Sequence, residues 1–350
     1  IGILEQIDVL SHFANHTYVV DSKIKKAKDI EGLKSASMDL LNIIKSLHAK
    51  GVKVNHISNL IGQLNTKVYQ KLYNLVLPKE LQKDACFIVM GSEGRNEQII
   101  KTDQDNALVV KDGIDVEQYR PYMNLISEYL IDFGYPSCEG NIMVSNAFWC
   151  KNVSSYKSET ARWIEAPDMQ NYMDLAIFFD SFAVAGDKEL LINLKDDLFN
   201  KLHDKDVFMA YFAKATLTFD TPTTIANFMT KTHFIDIKKA AVFPIVQGIR
   251  SLALREKIRE TTTVKRIKIL EEKKIIEKDK AAELIEAFDV VNTLRLKAHL
   301  DDIQEGKKIT NEIDTHGLGK IERDLLKDSF KIVIEFKKFI NYTFKIDKIS

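Results

Sequence analysis

The chain has 350 residues, enough for two or three domains with buried cores, and 45% of them are hydrophobic. Its 50 lysine and arginine residues balance 50 aspartate and glutamate residues, so no net field attracts nucleic acid or anionic lipid, and we expect neither as a partner. Three cysteines without a Cys-x-x-Cys pair fit a reducing compartment, and no apolar run approaches the roughly 20 residues of a membrane span, so we expect a cytoplasmic protein.

The first 80 residues are expected to be helical after a short leading segment. Leu60, Leu64, Val68 and Leu72 recur at helical spacing, and Pro78 ends the run. Such a stripe is typical of a packing surface rather than of a ligand site.

Residues 85–146 are predicted to carry the strands. The first is the apolar run 85–90, the second ends with the apolar run 107–110, and the third covers 141–144. A helix at about 115–133, ended by Gly134, separates the second from the third. From about 150 onward the pattern is almost entirely helical, with apolar stripes that predict a bundle. The expected fold class is therefore α+β, a small mixed sheet flanked by helices plus a C-terminal helical bundle.

A turn of small residues follows the first predicted strand. Gly91 has no Cβ, so its backbone can turn sharply or approach a ligand closely. Ser92 is a favoured N-cap, and a helix that begins there would direct backbone N–H groups at an anion. Arg95 lies one turn further and could add donors to a phosphate. The turn therefore predicts a phosphate site.

Two carboxylates precede the next apolar run. Asp103 and Asp105 are predicted to lie in the second strand, where side chains alternate between faces, so both project from one face with Cα atoms roughly 6–7 Å apart. Carboxylates placed in this way can hold Mg²⁺ for phosphoryl transfer. A lone Gly-Ser or a lone Asp-x-Asp is usually only a turn or a strand end, and the prediction depends on their combination.

The combination resembles a known signature. Ten residues separate Ser92 from Asp103, and the pattern Gly-Ser-x10-Asp-x-Asp resembles that of the DNA polymerase β-like nucleotidyltransferase superfamily. The string 91–108 is similar to that of the bacterial signal-transduction nucleotidyltransferases, relatives of the PII-protein uridylyltransferase that usually carry CBS domains upstream. The resemblance covers nearly the whole chain and continues in the segments 138–146, 177–187, 235–239, 243–254 and 293–296.

The resemblance implies a polymerase-β-like fold in four parts. These are the remnant of an upstream CBS-type module (1–20), N-terminal helices (21–80), a nucleotidyltransferase domain (81–190) and a helical substrate-binding domain (205–345). It implies transfer of a nucleoside monophosphate from an NTP, ATP or UTP, to an acceptor hydroxyl, with Mg²⁺ or Mn²⁺ as cofactor. A regulatory protein is a candidate acceptor, and a homodimer is a candidate assembly.

Three further residues become candidates through the resemblance. The superfamily has a third metal-binding carboxylate, for which Glu139 is the candidate metal ligand and Asp180 the candidate catalytic residue. Lys238 stands at the lysine of the family motif in the helical half, and we expect it to contact phosphate.

This chain departs from the family pattern at two positions. Phe182 stands where the family commonly has arginine, and Ala240 and Ala241 follow Lys239 where it often has glycine. The missing arginine and the open choice of the third carboxylate support an alternative, a catalytically inactive nucleotide-binding sensor coupled to a CBS module. The acceptor and the preferred base stay open.

Overall fold

The computed structural model describes residues 17–166, 168–222 and 233–349. The chain divides into two compact units, one of residues up to Glu159 plus Asp180–Asp196, the other of Thr160–Phe179 plus Asp197 onward. The helices predicted for 21–80 therefore share a unit with the sheet, and the chain passes between the units three times. The predicted remnant at 1–20 lies outside the described residues except for 17–20.

Three helices of the first unit precede its sheet: α1 (Ile30–Met38), α2 (Leu40–Ala49) and α3 (Val54–Val76). A helical segment also covers 17–26, and a short helix, α4 (Lys79–Gln82), follows Pro78. The apolar stripe predicted for this region is buried at Leu64, Val68 and Leu72, and α3 packs against the sheet. The predicted helices and their packing role are confirmed.

The sheet of the first unit has four strands in the order β3-β2-β1-β4. They are β1 (Ala85–Val89), β2 (Asn106–Val110), β3 (Cys150–Asn152) and β4 (Phe182–Gly186). The central strand β1 pairs antiparallel with β2 and β4, whereas β3 runs parallel to β2. Every residue of β1 and β2 is buried, as a continuously apolar run predicts. The mixed sheet of the predicted fold class is confirmed.

Two helices lie between these strands along the chain. The short helix α5 (Gly91–Gly94) follows β1, and α6 (Arg120–Asp132) follows β2 after a 3-10 turn. Helix α6 confirms the helix predicted for 115–133, and Gly134 beyond it has a φ of +87°.

The strand predicted for 141–144 is wrong. Asn141 has a φ of +53°, and its carbonyl accepts a hydrogen bond from the Asn146 side chain at 3.0 Å, so this segment turns instead of extending. It attaches to β2 through Asn106, whose Oδ1 accepts from the N–H of Val144 at 2.8 Å. The expectation of an almost entirely helical pattern beyond 150 holds for most of that region, but β3 and β4 also lie there and complete the sheet.

The second unit is mainly helical. Helices α7 (Val153–Glu165) and α9 (Glu189–Lys201) each pass from one unit into the other, and the remaining helices are α8 (Met169–Phe179), α10 (Asp206–Lys214), α11 (Phe243–Arg255), α12 (Thr263–Glu272), α13 (Lys278–Gln304) and α14 (Lys320–Phe344). A two-stranded antiparallel ribbon joins β5 (Phe234–Asp236) to β6 (Glu312–Asp314). Helices α13 and α14 pack together, as their apolar stripes predict. Within the described ranges, no helix has the length and apolar character needed to cross a membrane.

Candidate functional site

The end of β1 and the start of β2 form a tight corner. The N–H of Met90 donates to the carbonyl of Asp105 at 2.8 Å, one step beyond the last β1–β2 pair. The chain then turns into α5 at Gly91, whose φ is +54°. A Cβ on Gly91 would lie 2.2 Å from Asp105 Oδ2, so the carboxylate of Asp105 rests directly against the glycine. Glycine is needed here for its backbone conformation and for the close approach.

Ser92 is not the N-cap of this helix. The capping position belongs to Met90, and Ser92 lies half-buried inside the four-residue helix. The predicted glycine turn is present, but it serves the approach of Asp105 rather than a long helix that begins at Ser92.

Asp103 and Asp105 lie just before β2, and neither belongs to the strand as predicted. Both are partly exposed. The Asp103 carboxylate is held from two sides, since its Oδ1 accepts from Gln98 Nε2 at 3.0 Å and from Thr102 Oγ1 at 3.1 Å. Gln98 also donates to the Asp103 carbonyl at 2.9 Å, which fixes backbone and side chain together.

A third acidic side chain, Glu93, lies buried next to both aspartates. Its Oε1 accepts a hydrogen bond from Tyr69 Oη at 2.5 Å. Burial raises the pKa of the Glu93 carboxyl well above its usual range; the hydrogen bond from Tyr69 opposes this, and the negative charges of Asp105 and Asp103 add to it. The two aspartates therefore lie close enough to act on one buried group.

A small cavity of about 10 Å³ adjoins this group, large enough for about one water molecule. Its lining includes Glu93 and Gln98, whose Oε2 and Oε1 atoms are buried and have no hydrogen-bond partner among the described residues. Glu93 and Gln98 thus lie beneath the two aspartates and line one polar cavity.

Arg95 is not placed to bind phosphate as predicted. Its side chain is only 10% exposed; Nε donates to Glu97 Oε2 and Nη1 to Asp180 Oδ2, each at 2.7 Å. Burial disfavours the charge, but the Glu97 and Asp180 carboxylates outweigh it and raise the pKa of the guanidinium. Its donors are directed at two carboxylates within the protein, which leaves Arg95 a structural role.

Asp180 does not reach the reaction site as predicted. It lies in the turn between α8 and β4 and is fully buried, with its carboxylate paired to Arg95. A Cβ on Gly94 would lie 2.1 Å from the Asp180 carbonyl oxygen, so the two segments are in backbone contact. Asp180 therefore anchors the corner and has no surface for a substrate.

Glu139 and Lys238 are both exposed. No group of three or more His, Cys, Asp or Glu side chains suited to a metal ion occurs among residues 17–166, 168–222 and 233–349, so Glu139 does not complete a set with Asp103 and Asp105. Lys238 begins a π-helical turn (Lys238–Val242) in the second unit. Of the residues predicted for the site, the structure therefore brings together Gly91, Ser92, Asp103 and Asp105.

Sequence reasoning missed several residues that support this site. Gln98 and Glu93 lie within the motif itself. Their polar side chains, close in sequence to the proposed metal ligands, were the signal that could have identified them. Tyr69 had no such signal, because it lies on α3 among apolar residues. The Cys138 thiol also lies beside Asp105; burial raises its pKa to about 11, and the Asp105 charge adds to that shift.

Comparison with family models adds an independent observation. Residues 38–170 match the model described as "Putative nucleotidyltransferase DUF294", which includes the whole corner. Residues 206–344 match the model described as "Putative nucleotidyltransferase substrate binding domain". No curated protein matches the chain.

Proposed function

Since the chain belongs to this nucleotidyltransferase family, we propose that it moves a nucleoside monophosphate from an NTP to an acceptor hydroxyl, with Asp103 and Asp105 as the metal-binding pair. The acceptor hydroxyl would attack the α-phosphorus, and pyrophosphate would leave. Positioning and charge neutralisation provide most of the acceleration in phosphoryl transfer.

One observation carries the proposal. Two partly exposed carboxylates lie at the β1–β2 corner, one against Gly91 and the other held by Gln98 and Thr102. A carboxylate fixed by two donors loses little conformational entropy when a ligand binds, which favours binding.

The donor set fits magnesium. Mg²⁺ prefers oxygen ligands and is usually bound through one or two carboxylates together with substrate phosphates. Asp103 and Asp105 supply two such carboxylates, and Mn²⁺ accepts the same ligands. A divalent ion bound there supplies charge neutralisation at the reacting phosphate.

The remaining roles fall to neighbouring groups of the first unit. Gln98 and Thr102 orient the Asp103 carboxylate, and Glu93 accepts the Tyr69 hydroxyl beneath the pair. Backbone N–H groups of the first turn of a helix have no partner within that helix, so Gly91 and Ser92 are the candidates for contact with the β- and γ-phosphates.

The acceptor is assigned to the second unit, in which residues 206–344 match the substrate-binding model. A regulatory protein hydroxyl is our first choice of acceptor, and ATP or UTP our first choice of donor; both rest on the family resemblance. Lys238 stays a candidate phosphate contact, because it is an exposed cation at the family's lysine position.

The test is transfer of label from α-³²P-labelled NTPs, with Mg²⁺, to proteins of a cell extract. The double variant Asp103→Asn/Asp105→Asn removes both charges at nearly constant volume and should abolish transfer. Asp115→Asn/Asp132→Asn, which removes two exposed carboxylates of the same unit, should transfer as the unmodified protein does. Undiminished transfer by the first variant would exclude this mechanism.

A second candidate function is a nucleotide sensor without transfer. The observation that favours it is that only Asp103 and Asp105 offer carboxylates to a metal: Glu93 is buried and hydrogen-bonded to Tyr69, and no group of three acidic side chains suited to a metal ion occurs in the described part of the chain. Reversible Mg²⁺-dependent nucleotide binding by calorimetry, with no label transferred to any macromolecule, would identify the sensor.

A further inference from the structure

Helix α14 carries a second apolar stripe beside its buried one. Its core stripe includes Leu326, Phe330 and Val333, all of them buried. The second stripe follows the spacing 4-3-4-3-4-3 along the helix, through Ile321, Leu325, Asp328, Ile332, Glu335, Phe339 and Tyr342. Ile321 is 76% exposed and Tyr342 is 86% exposed. A seven-residue repeat of this kind is typical of a helix that pairs with another helix.

A groove adjoins the C-terminal half of this stripe. It has a volume of about 830 Å³ and lies between α14 and the segment that leads into α13. Ile275 and Leu284 line one side; Ile332, Phe339 and Tyr342 line the other. A concave surface lined on both sides by apolar side chains is suited to contact with another apolar surface.

Four exposed charges of α14 that line the groove alternate in sign. Asp328 pairs with Lys331 and Glu335 pairs with Lys338, each at 2.8 Å within the helix, and all four side chains are more than half exposed. Along the helix, these four side chains follow the order negative, positive, negative, positive. A parallel copy in register would place like charges opposite one another. A copy in the reverse direction would place opposite charges at all four positions.

We propose that α14 is the interface of a two-fold symmetric dimer, in which two copies of the helix pack antiparallel. The two-fold axis would cross α14 at the level of Val333. This position is the midpoint between 328 and 338, and it is also the midpoint between 331 and 335. Asp328 of one copy then faces Lys338 of the other, and Lys331 faces Glu335. An isologous interface must be self-complementary in this way.

The same axis also brings the exposed apolar residues of the two copies together. Antiparallel pairing about Val333 brings Ile321 and Leu325 of one copy beside the groove end of the other, near Phe339 and Tyr342. The stripe from 321 to 342 extends over about 32 Å at 1.5 Å per residue, long enough for three heptads. The charges set the direction, and the exposed apolar side chains supply the buried area.

Two charge-reversal variants of the full chain test the proposal by sedimentation velocity over a wide concentration range. Lys331→Glu/Lys338→Glu makes these four exposed positions all negative, and Asp328→Lys/Glu335→Lys makes them all positive. Each alone should self-associate roughly 100-fold more weakly than the unmodified chain, because like charges now face each other. An equimolar mixture of the two should restore a dimer, since one stripe then complements the other.

All four side chains are solvent-exposed, so we expect each variant to fold. Circular dichroism of each variant provides the control for folding. A monomeric unmodified chain would overturn the proposal and leave the groove to a different partner. Dimers that persist unchanged in both variants would also overturn it, since the interface would then lie elsewhere. A mixture of folded variants that stays monomeric would overturn it as well. None of these results depends on nucleotidyl transfer.

Discussion

Gly91→Ala perturbs the corner directly, because it introduces both backbone strain and a steric clash at one position. The φ of +54° is strained for any residue with a Cβ, at about 1–2 kcal/mol. The added Cβ would lie 2.2 Å from Asp105 Oδ2, whereas real Cβ contacts essentially never fall below 3.0 Å. The oxygen must therefore move by at least 0.8 Å (3.0 minus 2.2 Å).

A displacement near 1 Å at a reacting centre costs on the order of 100-fold in rate. We expect Gly91→Ala to reduce transfer by about that factor, and to weaken Mg²⁺-dependent nucleotide binding, in addition to its cost in stability. Rates of label transfer, calorimetric binding and urea unfolding measure the three effects.

Gly51→Ala is the matched control. Gly51 has a φ of +72°, and a Cβ there would have no neighbour within 4 Å. It should therefore show the backbone cost of about 1–2 kcal/mol with normal activity. The reasoning would be refuted if Gly91→Ala lost no more activity than Gly51→Ala, because the contact with Asp105 would then have no consequence.

Three further predictions concern buried polar groups. Arg95→Leu should destabilise by about 3–5 kcal/mol in urea unfolding, because it removes the guanidinium that pairs with the buried Asp180 carboxylate; Arg95→Leu/Asp180→Leu should cost less than the sum of the single changes. Tyr69→Phe should cost about 1–3 kcal/mol by removing the donor to Glu93, and an unchanged unfolding midpoint would contradict that. Burial lowers the pKa of His299 from 6.5 to about 4, so the folded protein keeps the ring neutral while the unfolded chain protonates it. Stability should therefore fall as pH falls from 6.5 towards 4, and His299→Gln should flatten that dependence in unfolding measured across this range.

The corner illustrates how far motif reasoning reaches. The spacing between Ser92 and Asp103 indicated that a glycine turn and two carboxylates belong together, and the structure places Asp105 against Gly91. The same reasoning placed both aspartates on β2, which in fact begins only at Asn106. The family model over 38–170 supports the nucleotidyltransferase prediction, while the metal, the donor nucleotide and the acceptor stay proposals.

Arg95 shows where a local pattern misleads. One helical turn after a glycine corner, an arginine reads as a phosphate ligand. In the fold its partner is Asp180, 85 residues away in the chain. No periodicity connects the two positions, so only the tertiary structure reveals that the guanidinium already has two carboxylate partners.

The sequence by itself determined the elements whose burial is regular along the chain. The apolar run that became β1, the amphipathic helix α6 and the stripes of α13 and α14 all follow from local periodicity, because each element buries one face or both. The tertiary structure alone decided the addition of β3 and β4 to the sheet and the burial of Glu93 beneath the aspartates. The physical reason is that strand pairing and charge burial depend on contacts between segments that are distant along the chain. Local sequence patterns do not reveal which of those segments meet.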